Sequence, residues 1–331
     1  MKKPDECGGG SHGQYYFSIL LLYLLLLFGI YRGVFFNSDA RKRKTPGFPK
    51  GPHYDEPETI QAMTALVDAM ESLPYEPVHI RAADGTDLFG RYYEAGPGAP
   101  VQIEFHGYRG GACRDMAGAD KIAREHGISR ILVDERAHGK SGGNVTTFGV
   151  REREDCLAWA EYAAKRFCGA PIILSGVSMG ASTVLMAADL SLPESVCGII
   201  ADSPYTSPKD IIRKCIREIH GTPGIFWPAV RQSAILFGHF DPAACSAVRS
   251  AAGTKVPLLL IHGDDDRFVP CSMSWEIAEA ARKAGARVRF EIFPGGAHGI
   301  SYLTDVKRYT DTEMDFIESC IQKKEQKPWQ S

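Results

Sequence analysis

The sequence predicts an α/β protein: a mostly parallel eight-stranded sheet flanked by helices, with a small helical cap and one apolar helix ahead of it. Three observations predict it. Strand-length apolar runs alternate with helix-length amphipathic stretches from Val78 onward. The runs from residue 101 onward are nearly continuous, as strands need when helices cover both faces of a sheet. Ahead of them lies YYFSILLLYLLLLFGIY (15–31), followed by a polar segment containing Pro and Gly.

The first element is that apolar run. Residues 7–31 contain no Asp, Glu, Lys or Arg. Seventeen residues in a helix reach ~25 Å, near the lower limit for a membrane span, and Val34, Phe35 and Phe36 extend it with Arg32 snorkelling. No small-x-small cleavage site follows, so residues 1–36 read as a tail and single-pass anchor rather than a cleaved signal. Lys2 and Lys3 precede the run, whereas Arg32, Arg41, Lys42, Arg43 and Lys44 follow it; this bias predicts that the downstream domain stays in the cytoplasm. Residues 37–57 read as a basic Pro/Gly linker. Gly8, Gly10 and Gly13 satisfy G-x-G-x-x-G but follow no strand, so they predict no dinucleotide site.

Residues 58–331 form the predicted main domain. An amphipathic helix over 56–72 carries Ile60, Met63, Leu66, Val67 and Met70 at helical spacing. VHIRA and DLFGRYYEA flank the Asp84-Gly85 turn, a hairpin signal. VQIEF (101–105), ISRILVD (128–134), PIILSG (171–176), VCGIIAD (196–202), VPLLLIHG (256–263) and RVRFEIF (287–293) are the remaining strands. Helices are predicted around 114–126, at 152–167, from Gly180, at 273–284 and near 305–322. Between the last two of those strands and their predecessors the alternation breaks: 206–252 is mostly helix-compatible and reads as a cap over the strand ends.

Composition excludes several classes. The chain has 38 Lys+Arg and 40 Asp+Glu, a formal net charge of -2. That predicts no nucleic-acid partner, which would need a basic surplus. Residues 1–50 hold eight of the basic and three of the acidic residues, leaving 30 and 37 for the rest, so the basic character belongs to the tail. The nine cysteines include no C-x-x-C, and the closest pair, Cys156 and Cys168, is twelve apart; this predicts buried thiols rather than a zinc site or a disulfide framework.

PIILSG runs into Gly176-Val177-Ser178-Met179-Gly180 and then a helix. This is G-x-S-x-G in a strand–turn–helix context: a sharp turn that tolerates no neighbouring side chains and lifts a serine oxygen to where a base can reach it. A nucleophilic serine needs a base, and the base an orienting carboxylate. Asp264, Asp265 and Asp266 follow VPLLLIHG, Asp202 follows VCGIIAD, and His298 follows RVRFEIF. His106, His138 and His262 precede glycines and read as orienting hydrogen-bonders. His106, His262, Asp266 and His298 lack any metal-ligand spacing, so no metal or other cofactor is expected.

These motifs resemble the α/β-hydrolase superfamily over residues 78–322, and especially its bacterial, N-terminally anchored peptidase- and esterase-like members. HGDDDRFVP resembles the family's H-G-x-x-D-x-x-V-P and puts the acid on Asp266, with Asp202 as the rival position. DERAHGKS resembles D-x-R-G-H-G-x-S, with Ala137 in place of a glycine, and reads as a structural turn. The resemblance implies a catalytic triad of Ser178, Asp266 and His298 and an oxyanion hole from the backbone N–H groups of Tyr108 and Met179. It implies a serine hydrolase acting on a small acyl substrate. The alternatives are a non-catalytic binding protein of the same fold, or an acyltransferase or peptidase using the same triad. Phe226, Trp227 and Phe237 of the cap are expected to line an acyl pocket, an assignment that competes with simple cap packing.

Overall fold

A computed structural model describes residues 9–38 and 54–322. Cys7, Arg41 to Lys44 and most of the expected linker lie outside them. The chain opens with α1 (Gly9–Val34) and α2 (Pro57–Glu71), the latter begun by a proline whose missing N–H costs nothing at a helix start. The hairpin β1 (Glu76–Arg81) and β2 (Asp87–Tyr93) follows, then β3 (Val101–Phe105), α3 (Ala112–Glu125), β4 (Ser129–Asp134) and α4 (Glu152–Arg166). Glu152, Glu154 and Asp155 in the first turn of α4 and Lys165 and Arg166 in its last complement the helix dipole. Next come β5 (Ile172–Val177), α5 (Met179–Met186) and β6 (Val196–Asp202).

The sheet has eight strands in the order β1-β2-β4-β3-β5-β6, then β7 (Leu258–Gly263) and β8 (Val288–Phe293). Only β1–β2 and β2–β4 pair antiparallel; the other five pairings are parallel. The expected sheet is therefore present, each strand within about two residues of its predicted run. Ile172, Leu174, Ile199, Ala201, Leu258 and Leu260 point into one core, under α4, α5 and α9 (Cys271–Lys283). The alternate residues Ile173, Ile200, Leu259 and Ile261 point into another, closed by α3 and α11 (Val306–Gln322). Two covered faces are why these strands lack polar alternation.

Between β6 and β7 lie α6 (Pro208–His220), α7 (Pro223–Ser233), a π-turn (Ala234–Gly238) and α8 (Ala247–Ala252). Ser207 caps α6, its hydroxyl accepting from Asp210 N at 3.1 Å, and Gly221 at φ 73° ends it in the left-handed conformation. α6 and α7 form a helical hairpin, whereas α8 packs on α5 and α9. The short α10 (Ser301–Thr304) precedes α11.

α1 is long and apolar enough to cross a membrane over Gly13–Val34. Its second half is docked. Leu27, Tyr31 and Phe35 are buried, and Phe35 lies edge-on to both Phe148 and Phe240. Phe36 bridges Val145, and the Asn37 amide donates to the Ala137 carbonyl at 2.7 Å. The eight described cysteines are free thiols.

Candidate active site

Ser178 stands alone between the end of β5 and the start of α5, at φ 56° and ψ −112°. Nearly every side chain avoids this backbone region, and the surroundings hold it there. A Cβ on Gly176 would lie 2.4 Å from the Gly180 carbonyl carbon, and one on Gly180 would lie 2.0 Å from the Phe105 carbonyl oxygen. The turn closes only because both positions are glycine. Ser178 N donates to the Asp202 carbonyl at 2.8 Å, fixing the turn to β6.

The loops after β7 and β8 bring two more groups to that serine. They pass backbone to backbone: a Cβ on Gly263 would lie 2.0 Å from Gly296 O. Asp265 N donates to Gly296 O at 3.1 Å, and Tyr54 donates its hydroxyl to His298 O. His298 then spans the gap. Its Nε2 lies 2.8 Å from Ser178 Oγ and its Nδ1 2.7 Å from Asp266 Oδ2. The carboxylate assigns the proton to Nδ1, leaving Nε2 to accept from the serine hydroxyl.

Asp266 is almost fully enclosed. Burial would raise its pKa, but hydrogen bonds from His262 and His298 hold the carboxyl well below the usual carboxylate range. Oδ1 accepts from Phe268 N at 2.9 Å and Val269 N at 2.7 Å. His262, fully buried, donates from Nε2 to Val269 O at 2.8 Å and leans on Asp266 Oδ2 at 3.1 Å, while Ser274 donates to its Nδ1 at 2.7 Å. The rival Asp202 is bonded elsewhere. It accepts from Ser203 Oγ at 2.8 Å and Tyr309 Oη at 3.1 Å, and burial raises its pKa.

The loop after β3 lies across the serine: a Cβ on Gly107 would come 3.5 Å from Ser178 Cβ. The loop is held at each position. Gly107 N donates to Asp115 Oδ2 at 2.9 Å, and the His106 ring spans Glu135 N and Gly107 O. Arg109 N donates to His138 Nε2 at 3.0 Å. The Tyr108 ring stacks on Phe148 at 4.7 Å, and its hydroxyl donates to Val34 O at 2.6 Å, in the last turn of α1. The segment expected to be a structural turn supports this loop. Asp134 binds Arg91 and Lys140 N, Arg136 clamps Asp155 through two hydrogen bonds, and Ala137 adopts φ 62°, the conformation a glycine would hold there.

The structure thus brings Ser178, His298 and Asp266 together; Met179 follows the serine in the chain, and Tyr108 follows Gly107, the residue of the β3 loop that approaches Ser178. The contacts of the three cap aromatics are within the cap and with α1. Phe226 stacks on His220, Trp227 is buried in the cap packing, and Phe237 packs on Phe28 and Tyr31 of α1. A residue sequence reasoning passed over is Phe268, whose half-exposed ring sits 5.1 Å from that of His298. Its signal was its place in DDDRFVP, two residues after the acid. Among the described residues no group of three or more His, Cys, Asp or Glu is disposed to hold a metal ion.

Comparison with known proteins follows the same lines. The chain is 26% identical to YqkD of Bacillus subtilis over 197 residues, 58% of this chain and 63% of that protein, so the match spans under two thirds of its length. It is 30% identical to human monoglyceride lipase over 267 residues, covering 69% of this chain and 85% of the lipase. An esterase of Pyrococcus furiosus superposes with a TM-score of 0.63 at 20% identity, over 84% of this chain and 97% of the esterase. The sequence profile of the prolyl oligopeptidase family matches residues 144–324, the stretch that runs from before α4 to the end of α11 and contains Ser178, Asp266 and His298. With an eight-stranded α/β-hydrolase sheet and that match over more than half its length, the chain belongs to the prolyl oligopeptidase family of hydrolases.

Proposed function

We propose that the protein is a membrane-anchored serine hydrolase that cleaves a carboxylic ester or related acyl bond through an acyl-enzyme. The observation that carries this reading is the unbroken relay Ser178 Oγ–His298–Asp266, with both links under 2.9 Å. Ser178 attacks the substrate carbonyl while His298 Nε2 takes its proton. Asp266, kept ionised by its hydrogen bonds, holds the imidazole and stabilises the cation that forms. Met179 N–H, at the start of α5, and Tyr108 N–H hold the oxyanion. His298 returns the proton to the leaving group and then activates water to release the acyl group.

In this reading residues 1–36 are tail and anchor, 37–57 a linker, and 58–331 the catalytic domain with its cap at about 206–252, lying on the cytoplasmic side. The test is labelling of the full chain by a fluorophosphonate probe. The wild type takes up the probe on one serine and Ser178→Ala takes up none. Retained labelling of Ser178→Ala overturns the assignment.

A further inference from the structure

The depth at which α1 is docked has a consequence for the cap. The membrane-length stretch Gly13–Val34 has 22 residues, ~33 Å of helix. Its cap contacts begin at Tyr23, whose hydroxyl donates to Gln232 Oε1. They continue with Phe28 and Tyr31 on Phe237, at 5.3 and 5.9 Å, and end with Phe35 on Phe240, at 5.2 Å. The two segments advance together, so the π-turn and the end of α7 run beside the second half of α1. Residues 13–22 alone reach only ~15 Å, half of a ~30 Å hydrocarbon layer. If α1 crosses a bilayer, the cap beside it must occupy the rest of that depth.

The cap surface is suited to this. Ile225 is 72% exposed, Ile219 73%, Ile235 46% and Leu236 47%, and Phe226 is also exposed. Ile235 and Leu236 lie in the π-turn that accompanies α1, and Ile219, Ile225 and Phe226 lie at the α6–α7 tip of the same hairpin. Five exposed large apolar side chains on one short helical segment are uncommon on a surface that meets only water. Arg231, paired with Asp241 at 2.6 Å and with its side chain 47% exposed, lies four residues before Ile235 and supplies a charge at the edge of this segment.

We propose that the α6–α7 hairpin and the π-turn form a second membrane-contacting surface, seated in the same bilayer as α1 and continuous with it. This rests on the anchor assigned above, not on the hydrolase chemistry. It makes α1 a partner of the cap rather than a free tether. It also sets the Tyr108 loop, bonded to the Val34 carbonyl where the apolar helix ends, at the bilayer surface. An acyl substrate dissolved in the bilayer then meets the site without first crossing water.

The test uses the full chain in phosphatidylcholine vesicles whose acyl chains are dibrominated at carbons 6 and 7, against unbrominated vesicles. Ile225→Trp and Leu236→Trp each add a tryptophan on the patch, and Leu20→Trp adds one on exposed α1. Circular dichroism verifies that each variant is folded. After subtraction of the wild-type signal, the expected result is at least twofold quenching of all three added fluorophores by the brominated chains. Quenching of Leu20→Trp alone overturns the cap surface and leaves the anchor standing. No quenching at any of the three overturns the anchor and the cap surface together. Neither outcome bears on Ser178, whose labelling is a separate measurement.

Discussion

Two carboxylates near Ser178 are candidates to orient a histidine, and their hydrogen bonds distinguish them. Asp266 gives one oxygen to two backbone N–H groups and the other to His298 and His262, so its charge is favoured and aimed at the imidazole. Asp202 receives the hydroxyls of Ser203, Ser301 and Tyr309 and is pushed toward its neutral form by burial. Asp266→Asn, which offers an N–H where an acceptor is needed, is expected to lower kcat by about 10⁴-fold. Asp202→Asn is expected to stay within about tenfold, because no proton-transfer atom bonds to it; steady-state kinetics on one activated ester compares the two. Motif position pointed to Asp266 because the spacing from strand end to acid is local. The clamp formed by His262 and Ser274 was not legible, since it joins the end of β7 to α9, two elements whose packing no local pattern states.

At the scale of elements, what was legible follows from periodicity. Buried parallel strands announce themselves as apolar runs, and G-x-S-x-G announces a turn with no room for a Cβ. VQIEF is the exception. Gln102 and Glu104 sit at alternate positions of β3 and would read as a solvent face, yet both are buried because β3 lies between β4 and β5 with α3 and α11 over it. The docking of α1 was not legible either, because an apolar run looks the same whether lipid or protein covers it. Its end supports the loop after β3 through Tyr108. Tyr108→Phe keeps the ring stack on Phe148 but removes the hydrogen bond to Val34 O, worth about 1 kcal/mol. If that bond positions the loop for the oxyanion, kcat falls about fivefold while KM is unchanged; a change confined to thermal stability would give the bond a purely structural role. Phe35→Ala opens a cavity between Phe148 and Phe240, with an expected cost of about 3–5 kcal/mol read from thermal unfolding.

The whole molecule carries buried carboxyls that the proposed chemistry does not use, and they set how its stability responds to pH. Glu313 on α11 is buried against β3, accepting from Gln102 Nε2 at 2.9 Å, with its other oxygen unpartnered. Burial, opposed by the Gln102 hydrogen bond and reinforced by nearby Asp202, pushes its pKa up to about 7. Glu104 beside it and Glu135 are raised in the same direction by burial. A carboxyl whose folded pKa exceeds its unfolded one binds more protons in the folded chain between those two values. Its stabilisation is therefore complete below about pH 4.5 and is lost as pH rises through about 7. Glu313→Gln fixes the neutral shape: its carbonyl still accepts from Gln102, and no charge is left to bury. The variant's advantage over the wild type should be under about 1 kcal/mol at pH 5 and grow to ~3 kcal/mol at pH 8 for a shift of this size. Comparing the two chains at each pH cancels Glu104, Glu135 and every other group that titrates alike in both. Thermal unfolding of the full chain in detergent micelles at pH 5 and pH 8 is the measurement. An equal difference between the chains at both pH values would mean that Glu313 is ionised, or neutral, throughout that range, and that the alkaline loss of stability arises elsewhere in the buried carboxyl set.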